Sequence, residues 1–400
     1  MSTKSVVANI ALVVVTLLVA VGVGEATIRI MKPIPPGIYE PDSAALYRLV
    51  PGSRKINRGR GAPFNIDINA DGYRGPAVRP KSSVRRIAVF GDSFIAAEFS
   101  RLPETFVEQL RTVAKAKAGD SVETINVGVA GYGPDQTLLR MRADLERFKP
   151  DVAVLALFPF NDFGDLLRNK LLALDASGAL VPRGGRLTDS MATEFTRASH
   201  PSGLRRLQLV RFIERELETR RRRGQTRTRP PLLEFTRRAL RTNDSTLAVY
   251  DNRANSLVGY EVFRDEYDAD IAVSPESKGA ARKIPLMGAV LRAISEEAAR
   301  AKVPLVVLII PAPEDNCPTF ERHADSASFP TYARSRLTDT AERLSREAGI
   351  TTINLWEPFL ASNACTLYLG RGDNHWNAAG QALAARVVAD TLAAHGWLKP

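Results

Sequence analysis

Two short segments almost 300 residues apart hold the residue types that nucleophilic chemistry on an acyl group needs. Val89 to Ser93 ends an apolar run, Ile87 to Phe90, with Gly91-Asp92-Ser93, while Asp373 to Asn377 sets a carboxylate and His375 ahead of a C-terminal amphipathic stretch. In such a set the imidazole takes the serine proton, the aspartate fixes the imidazole tautomer, and the serine oxygen attacks a carbonyl carbon.

A tetrahedral intermediate also needs donors for its oxygen. The glycine-rich segment Asn126 to Gly133, and Asn161-Asp162, each follow an apolar run. An oxyanion hole takes two backbone amides and one side-chain amide, donors that loops such as these can aim into one cleft. The plainer reading of each segment is a strand-to-helix turn. Of the four histidines, His200 falls in an irregular stretch, His395 near the C-terminus, and His323 after a strand without a motif. His375 is preferred as the base over its rival His323, because Asp373 lies two residues before it. Asn377 can cap the helix bearing Leu383, Val387 and Leu392, which would keep the imidazole loop rigid.

These residues need a scaffold that gathers them. Apolar, β-rich runs recur at Ile87 to Phe90, Val122 to Val127, Val152 to Phe158, Val303 to Ile310 and Thr351 to Leu355. Helix-like stretches, among them Thr105 to Ala116, Thr137 to Phe148, Pro285 to Ala301 and Tyr332 to Ala348, separate them. The alternation predicts an α/β fold, a three-layer parallel sheet with helices on both faces. Ser93, Gly131, Asn161 and the Asp373-His375 pair all follow strands, at the edge where such sheets bind ligands. About Gly164 to Lys283 breaks the alternation and reads as an inserted lid or cap, with a hairpin at Asn169 to Pro182.

The first 24 residues differ in kind. Ser5 to Gly24 is uncharged, long enough to cross a bilayer as a helix. An uncleaved anchor fits better than a signal peptide, whose apolar region is shorter and whose cleavage site is Ala-x-Ala-like. Charge alone leaves the side of the membrane open. The chain divides into an anchor (1–31), a linker and lead-in (32–65) and a body (66–400) with the insertion at about 164–283. Cys317 and Cys365 stand without a metal-spaced neighbour, so no metal site is expected; a disulfide between neighbouring loops and two unpaired thiols both remain open.

The net charge is +11, and arginines crowd Arg205 to Arg229 with Leu207, Val210, Ile213 and Leu217 at helical spacing between them. Such a segment is either a solvated face or a contact for anionic lipid or an acidic polymer. Nucleic acid is not an expected partner, because no recognition motif accompanies the charge.

In these motifs the chain resembles the SGNH hydrolases, or GDSL-type esterases. Their four blocks correspond in order to Gly91-Asp92-Ser93, Asn126 to Gly131, Asn161-Asp162, and Asp373 with His375. Asn69 to Gly75 resembles a stretch of membrane-anchored bacterial members. The usual Gly-x-Asn-Asp is here Pro159-Phe160-Asn161-Asp162. The usual Asp-x-x-His is shortened to Asp373-Asn374-His375, similar to the Asp-x-His-Trp form of alginate O-acetyltransferase relatives. The resemblance implies an SGNH, flavodoxin-like fold, no cofactor, and a single-pass bacterial inner-membrane protein with its body in the periplasm. It implies a serine esterase removing acyl groups, acetyl first among them, from an O-acylated glycan or lipid-linked substrate. An O-acyltransferase served by an acyl-donor membrane protein, or a non-catalytic glycan-binding protein of the same fold, are the alternatives.

Overall fold

The computed structural model describes residues 3–59, 61–81, 84–119, 122–223, 256–258, 268–320 and 329–398. Five strands form the central sheet: β1 (Arg85–Phe90), β2 (Val122–Asn126), β3 (Val152–Leu157), β4 (Leu305–Ile309) and β5 (Thr351–Asn354). All pair in parallel, in the order β5-β4-β3-β1-β2. Every residue of β2, β3 and β4 is buried, as expected of strands covered by helices on both faces. The order reverses between β1 and β3, so a crevice opens beyond their carboxyl ends, where open α/β sheets bind ligands.

The helices follow from caps and apolar spacing. α1 (Thr3–Met31) is the apolar N-terminal helix, and α2 (Ser93–Ala96) is one turn directly after β1. α3 (Phe106–Ala118) is capped by Thr105, and α4 (Pro134–Phe148) starts on a proline, whose missing N–H costs nothing at that position. α5 (Asp162–Asn169), α6 (Asp189–Ser199), α7 (Gln208–Arg223) and α8 (Ala269–Val273) precede α9 (Lys278–Arg300), α10 (Arg336–Glu347) and α11 (Ala378–Ala394). α3 packs with α11, while α9 packs with α4, α5 and α10. Right-handed crossovers put these two groups on opposite faces of the sheet.

Two boundaries differ from the sequence expectation. α9 begins at Lys278 rather than Pro285, because Ser277 caps it and Ala280, Leu286, Met287 and Leu291 keep one face buried across the proline. α10 begins at Arg336 rather than Tyr332, whose hydroxyl instead donates to Asp315 at 2.7 Å. The lead-in also does more than span a gap. Tyr39–Asp42 and Leu46–Leu49 form a ribbon whose Leu46, Tyr47 and Leu49 join the main core.

Between β3 and β4, Asp162 to Asn169 is an ordinary helix rather than the start of an irregular region. The expected hairpin pairs Leu172–Leu174 with Leu180–Pro182, its turn organised by Asp175, whose carboxylate accepts from the amides of Ser177 and Ala179. α6 packs on the N-terminal ribbon through Phe195 against Tyr39 and Tyr47. Residues 224–255 and 259–267, part of the expected lid, lie outside the described residues.

The insertion returns to the body through a fully buried charge cluster. Lys283 Nζ donates to Asp268 at 2.7 Å and to Asp270 at 3.0 Å. The second Asp268 oxygen accepts from the Gly164 amide, and the Asp268 amide donates to the Phe160 carbonyl. The cluster therefore braces the backbone on both sides of Asn161. Lys283→Met should lower unfolding free energy by about 3–5 kcal/mol, the usual cost of stripping a buried carboxylate of its cation. Denaturant unfolding of wild type and variant measures it.

Candidate active site

Ser93 enters the crevice because β1 runs straight into α2. Asp92 caps that turn, accepting from the Phe94 amide at 2.9 Å. The other end is held by Arg74, whose buried guanidinium donates to the carbonyls of Ala96 at 3.0 Å and Ser100 at 2.6 Å, and also to that of Ala97. Burial pulls the Arg74 pKa down to about 10, still charged at neutral pH. Arg74 lies in the Asn69 to Gly75 segment, which the sequence marks without assigning it work.

His375 arrives from the far end of the chain on a strand, not on the loop expected. Asp373–Trp376 pairs antiparallel with Tyr368–Gly370 around a tight turn in which Gly370, Arg371 and Gly372 all take positive φ. Tyr368 fixes this hairpin to the end of β4: its hydroxyl donates to the Pro311 carbonyl at 2.8 Å and accepts from Asn316 at 2.9 Å. Cys317 and Cys365 are joined in a disulfide that crosses the same gap. Below, Trp376 is fully buried between Phe94 and Phe106. Asn377 caps α11, accepting from the amides of Ala379 and Gly380.

The three side chains form one hydrogen-bonded chain. His375 Nε2 lies 2.8 Å from Ser93 Oγ, and His375 Nδ1 lies 2.8 Å from Asp373 Oδ1. With an ionised Asp373 accepting from Nδ1–H, Nε2 is left as the acceptor for the serine hydroxyl. The imidazole is wedged between Phe94 and Phe99, with ring centres at 4.9 and 4.5 Å, which restricts its rotation.

The expected oxyanion donors follow the ends of three neighbouring strands, β1, β2 and β3. Gly131 has φ +80°, and a Cβ there would lie 2.8 Å from the Tyr47 hydroxyl, which itself donates to the Ala130 carbonyl. The amides of Ser93 and Gly131 have no acceptor among the described residues. Asn161 Nδ2 donates one hydrogen to Asp165 at 3.0 Å, leaving its second for a ligand. Arg168 links the two halves, pairing with Asp165 at 2.5 Å and donating to the Gly131 carbonyl at 2.9 Å. Pro159 stands where the Gly-x-Asn-Asp pattern has glycine; the next residue, Phe160, stacks its ring on Phe158, and its carbonyl receives the Asp268 amide.

Asp165 and Arg168, about one and two helical turns past Asn161, carry no signal in the sequence and matter through contacts alone. The other histidines lie elsewhere. His200 pairs with Glu40 at 2.9 Å, His395 stacks on Trp397, and His323 is outside the described residues.

Burial pushes Asp165 up to about 8 and Asp135 up to about 6, and raises Asp92 and Asp162 as well, Asp162 further by its carboxylate neighbours. A carboxyl raised on folding contributes stability that is complete below its unfolded pKa, about 3.9, and lost as pH climbs through the folded value. For Asp135 and Asp165 that window runs from about pH 4 to about pH 8. The denaturant midpoint should therefore fall from pH 5 to pH 9, and Asp165→Asn, which keeps an oxygen for Asn161, should make the fall shallower.

Residues 263–399 match the family model described as the SGNH hydrolase-like domain of the acetyltransferase AlgX, a span that includes Asp373 and His375. No curated protein matches the sequence. Among solved structures, a lipase/acylhydrolase from Enterococcus faecalis is 12% identical, with 78% of this chain and 97% of that one covered and a TM-score of 0.38. An acetylxylan esterase from Geobacillus stearothermophilus is 10% identical, covering 78% and 94%, with a TM-score of 0.37. The esterase EstA from Pseudoalteromonas is 12% identical, covering 78% and 98%, with a TM-score of 0.35. Over residues 263–399, then, the chain is similar to an SGNH hydrolase-like domain.

Proposed function

We propose that this protein is a membrane-anchored serine esterase that removes acyl groups, acetyl first among them, from an O-acylated glycan or lipid-linked substrate. The observation that carries the reading is the Ser93–His375–Asp373 chain, two hydrogen bonds of 2.8 Å each. Ser93 Oγ attacks the ester carbonyl as its proton passes to His375 Nε2. The developing oxyanion is received by the amides of Ser93 and Gly131 and by Asn161 Nδ2. His375 then returns the proton to the departing sugar oxygen, leaving an acyl group on Ser93. Water, deprotonated by His375, releases the acid and restores the hydroxyl.

The match of residues 263–399 to the acetyltransferase model favours a second reading, in which a sugar hydroxyl takes the place of water. The half-exposed imidazole and Asp373 support access by either acceptor. We read the inserted segment, about 164–283 of the body 66–400, as the part that decides which acceptor enters.

α1 is long and apolar enough to span a bilayer, and none of its apolar window is buried. We read it as an uncleaved anchor, residues 1–31, with the body outside the cytoplasm of a bacterium; the disulfide supports this, since oxidising compartments sustain one.

Ser93→Ala should abolish hydrolysis of p-nitrophenyl acetate while leaving the unfolding midpoint unchanged. Asn161→Ala should lower kcat about 10²- to 10³-fold through the lost oxyanion donor. Adding an acetylated oligosaccharide and a free sugar acceptor separates the two readings: acetate in solution supports hydrolysis, acetyl on the sugar supports transfer. Wild-type turnover by Ser93→Ala would overturn both.

A further inference from the structure

The arginine-rich segment, unexplained by the acyl chemistry, lies against the end of the apolar helix. Gly24 of α1 leaves room for the Leu209 side chain, 3.1 Å from where a Cβ would stand, and Glu25 accepts from the Leu209 amide at 2.8 Å. Gln208 accepts from the Ile34 amide, and Lys32 lies over the Phe212 ring. Glu25 is the first charge after the uncharged run Ser5 to Gly24, so the start of α7 is pinned at the depth where hydrocarbon gives way to head groups.

α7 does not then descend along α1. Leu17 and Leu18, two turns deeper, are 59% and 66% exposed, and Ile213 and Leu217 of α7 are 49% and 57% exposed. Ile213, Leu217, Arg220 and Arg221 recur at helical spacing, so two apolar side chains and two guanidinium groups share one side of α7. From Leu204 to Arg223 there are eight arginines against three glutamates. An exposed apolar stripe flanked by arginine is the pattern of a helix lying in a membrane interface, with long cationic side chains reaching the lipid phosphates.

We propose that α7 is a second membrane contact, lying on anionic lipid head groups beside the end of α1 and fixing how the body stands on the bilayer. This rests on reading α1 as a membrane anchor. A fluorescent label on Leu217→Cys reports the contact, since both native cysteines are in the disulfide. The full chain is reconstituted in phosphatidylcholine vesicles with or without phosphatidylglycerol, and quenching by a spin-labelled lipid is read.

The Leu217→Cys label should be quenched in the anionic vesicles and much less in the neutral ones. The double substitution Arg220→Gln, Arg221→Gln should remove the difference. A label on Leu12→Cys should be quenched in both. An unquenched Leu12→Cys label would remove the anchor reading and this inference with it. A quenched Leu12→Cys label beside equal quenching of Leu217→Cys in the two lipids would overturn the inference alone. So would a soluble acidic polysaccharide that shifts the Leu217→Cys label in neutral vesicles as phosphatidylglycerol does, since the surface would then be a polyanion site.

Discussion

A hydrogen bond of 2.8 Å between residues 282 positions apart, Ser93 Oγ to His375 Nε2, is the constraint on which the rest of the site depends. Proton transfer tolerates little error in that distance, so both ends need rigid mounting. At the serine end the mounting is the β1–α2 turn, capped by Asp92 and gripped from the other side by Arg74. At the histidine end it is a short hairpin, which by itself would be marginal in water. The Tyr368 hydroxyl, the Cys317–Cys365 link and the buried Trp376 tie that hairpin to the β4 end and to the core. Phe94 serves both ends, since it follows Ser93 in α2 and packs against the His375 ring.

The second demand is electrostatic. Asp92, Asp162, Asp165 and Asp268 are buried near the sheet's carboxyl edge, where four full negative charges would repel one another strongly. Two devices relieve this. Lys283 and Arg168 supply cations to Asp268 and Asp165, and burial raises Asp92, Asp162 and Asp165 toward the neutral form. In either protonation state an Asp165 oxygen can accept from Asn161, so the amide stays aimed while the local charge stays low. Arg168 extends that control to the Gly131 carbonyl, linking the two loops that flank the crevice.

Much of this architecture was legible in the sequence, for physical reasons. The five strands are continuous apolar runs because they are covered on both faces, and Thr105 and Asn377 mark helix starts by their side-chain oxygens. The grouping of Ser93, Gly131, Asn161 and His375 at one edge follows from the topology of a parallel sheet. The strand under His375 was not legible, because four residues bent by positive-φ positions give no run long enough to read. Arg74, Asp165 and Lys283 were invisible for a different reason. A buried charge looks like a surface charge in sequence, and its role exists only through partners distant along the chain. Pro285 misled in a third way, marking a helix start that packing overrode.

If Ser93 carries the acyl group, the acyl-enzyme can be trapped on it. The protein is mixed with p-nitrophenyl acetate, quenched in acid within the first turnover, digested, and the acetylated peptide located by mass spectrometry. One acetyl group should appear on the peptide bearing Ser93, absent in Ser93→Ala and persisting longer when His375 is replaced by alanine in whatever fraction acylates. Acetyl found on a different residue, or rapid turnover with none on Ser93 at any time, would contradict it.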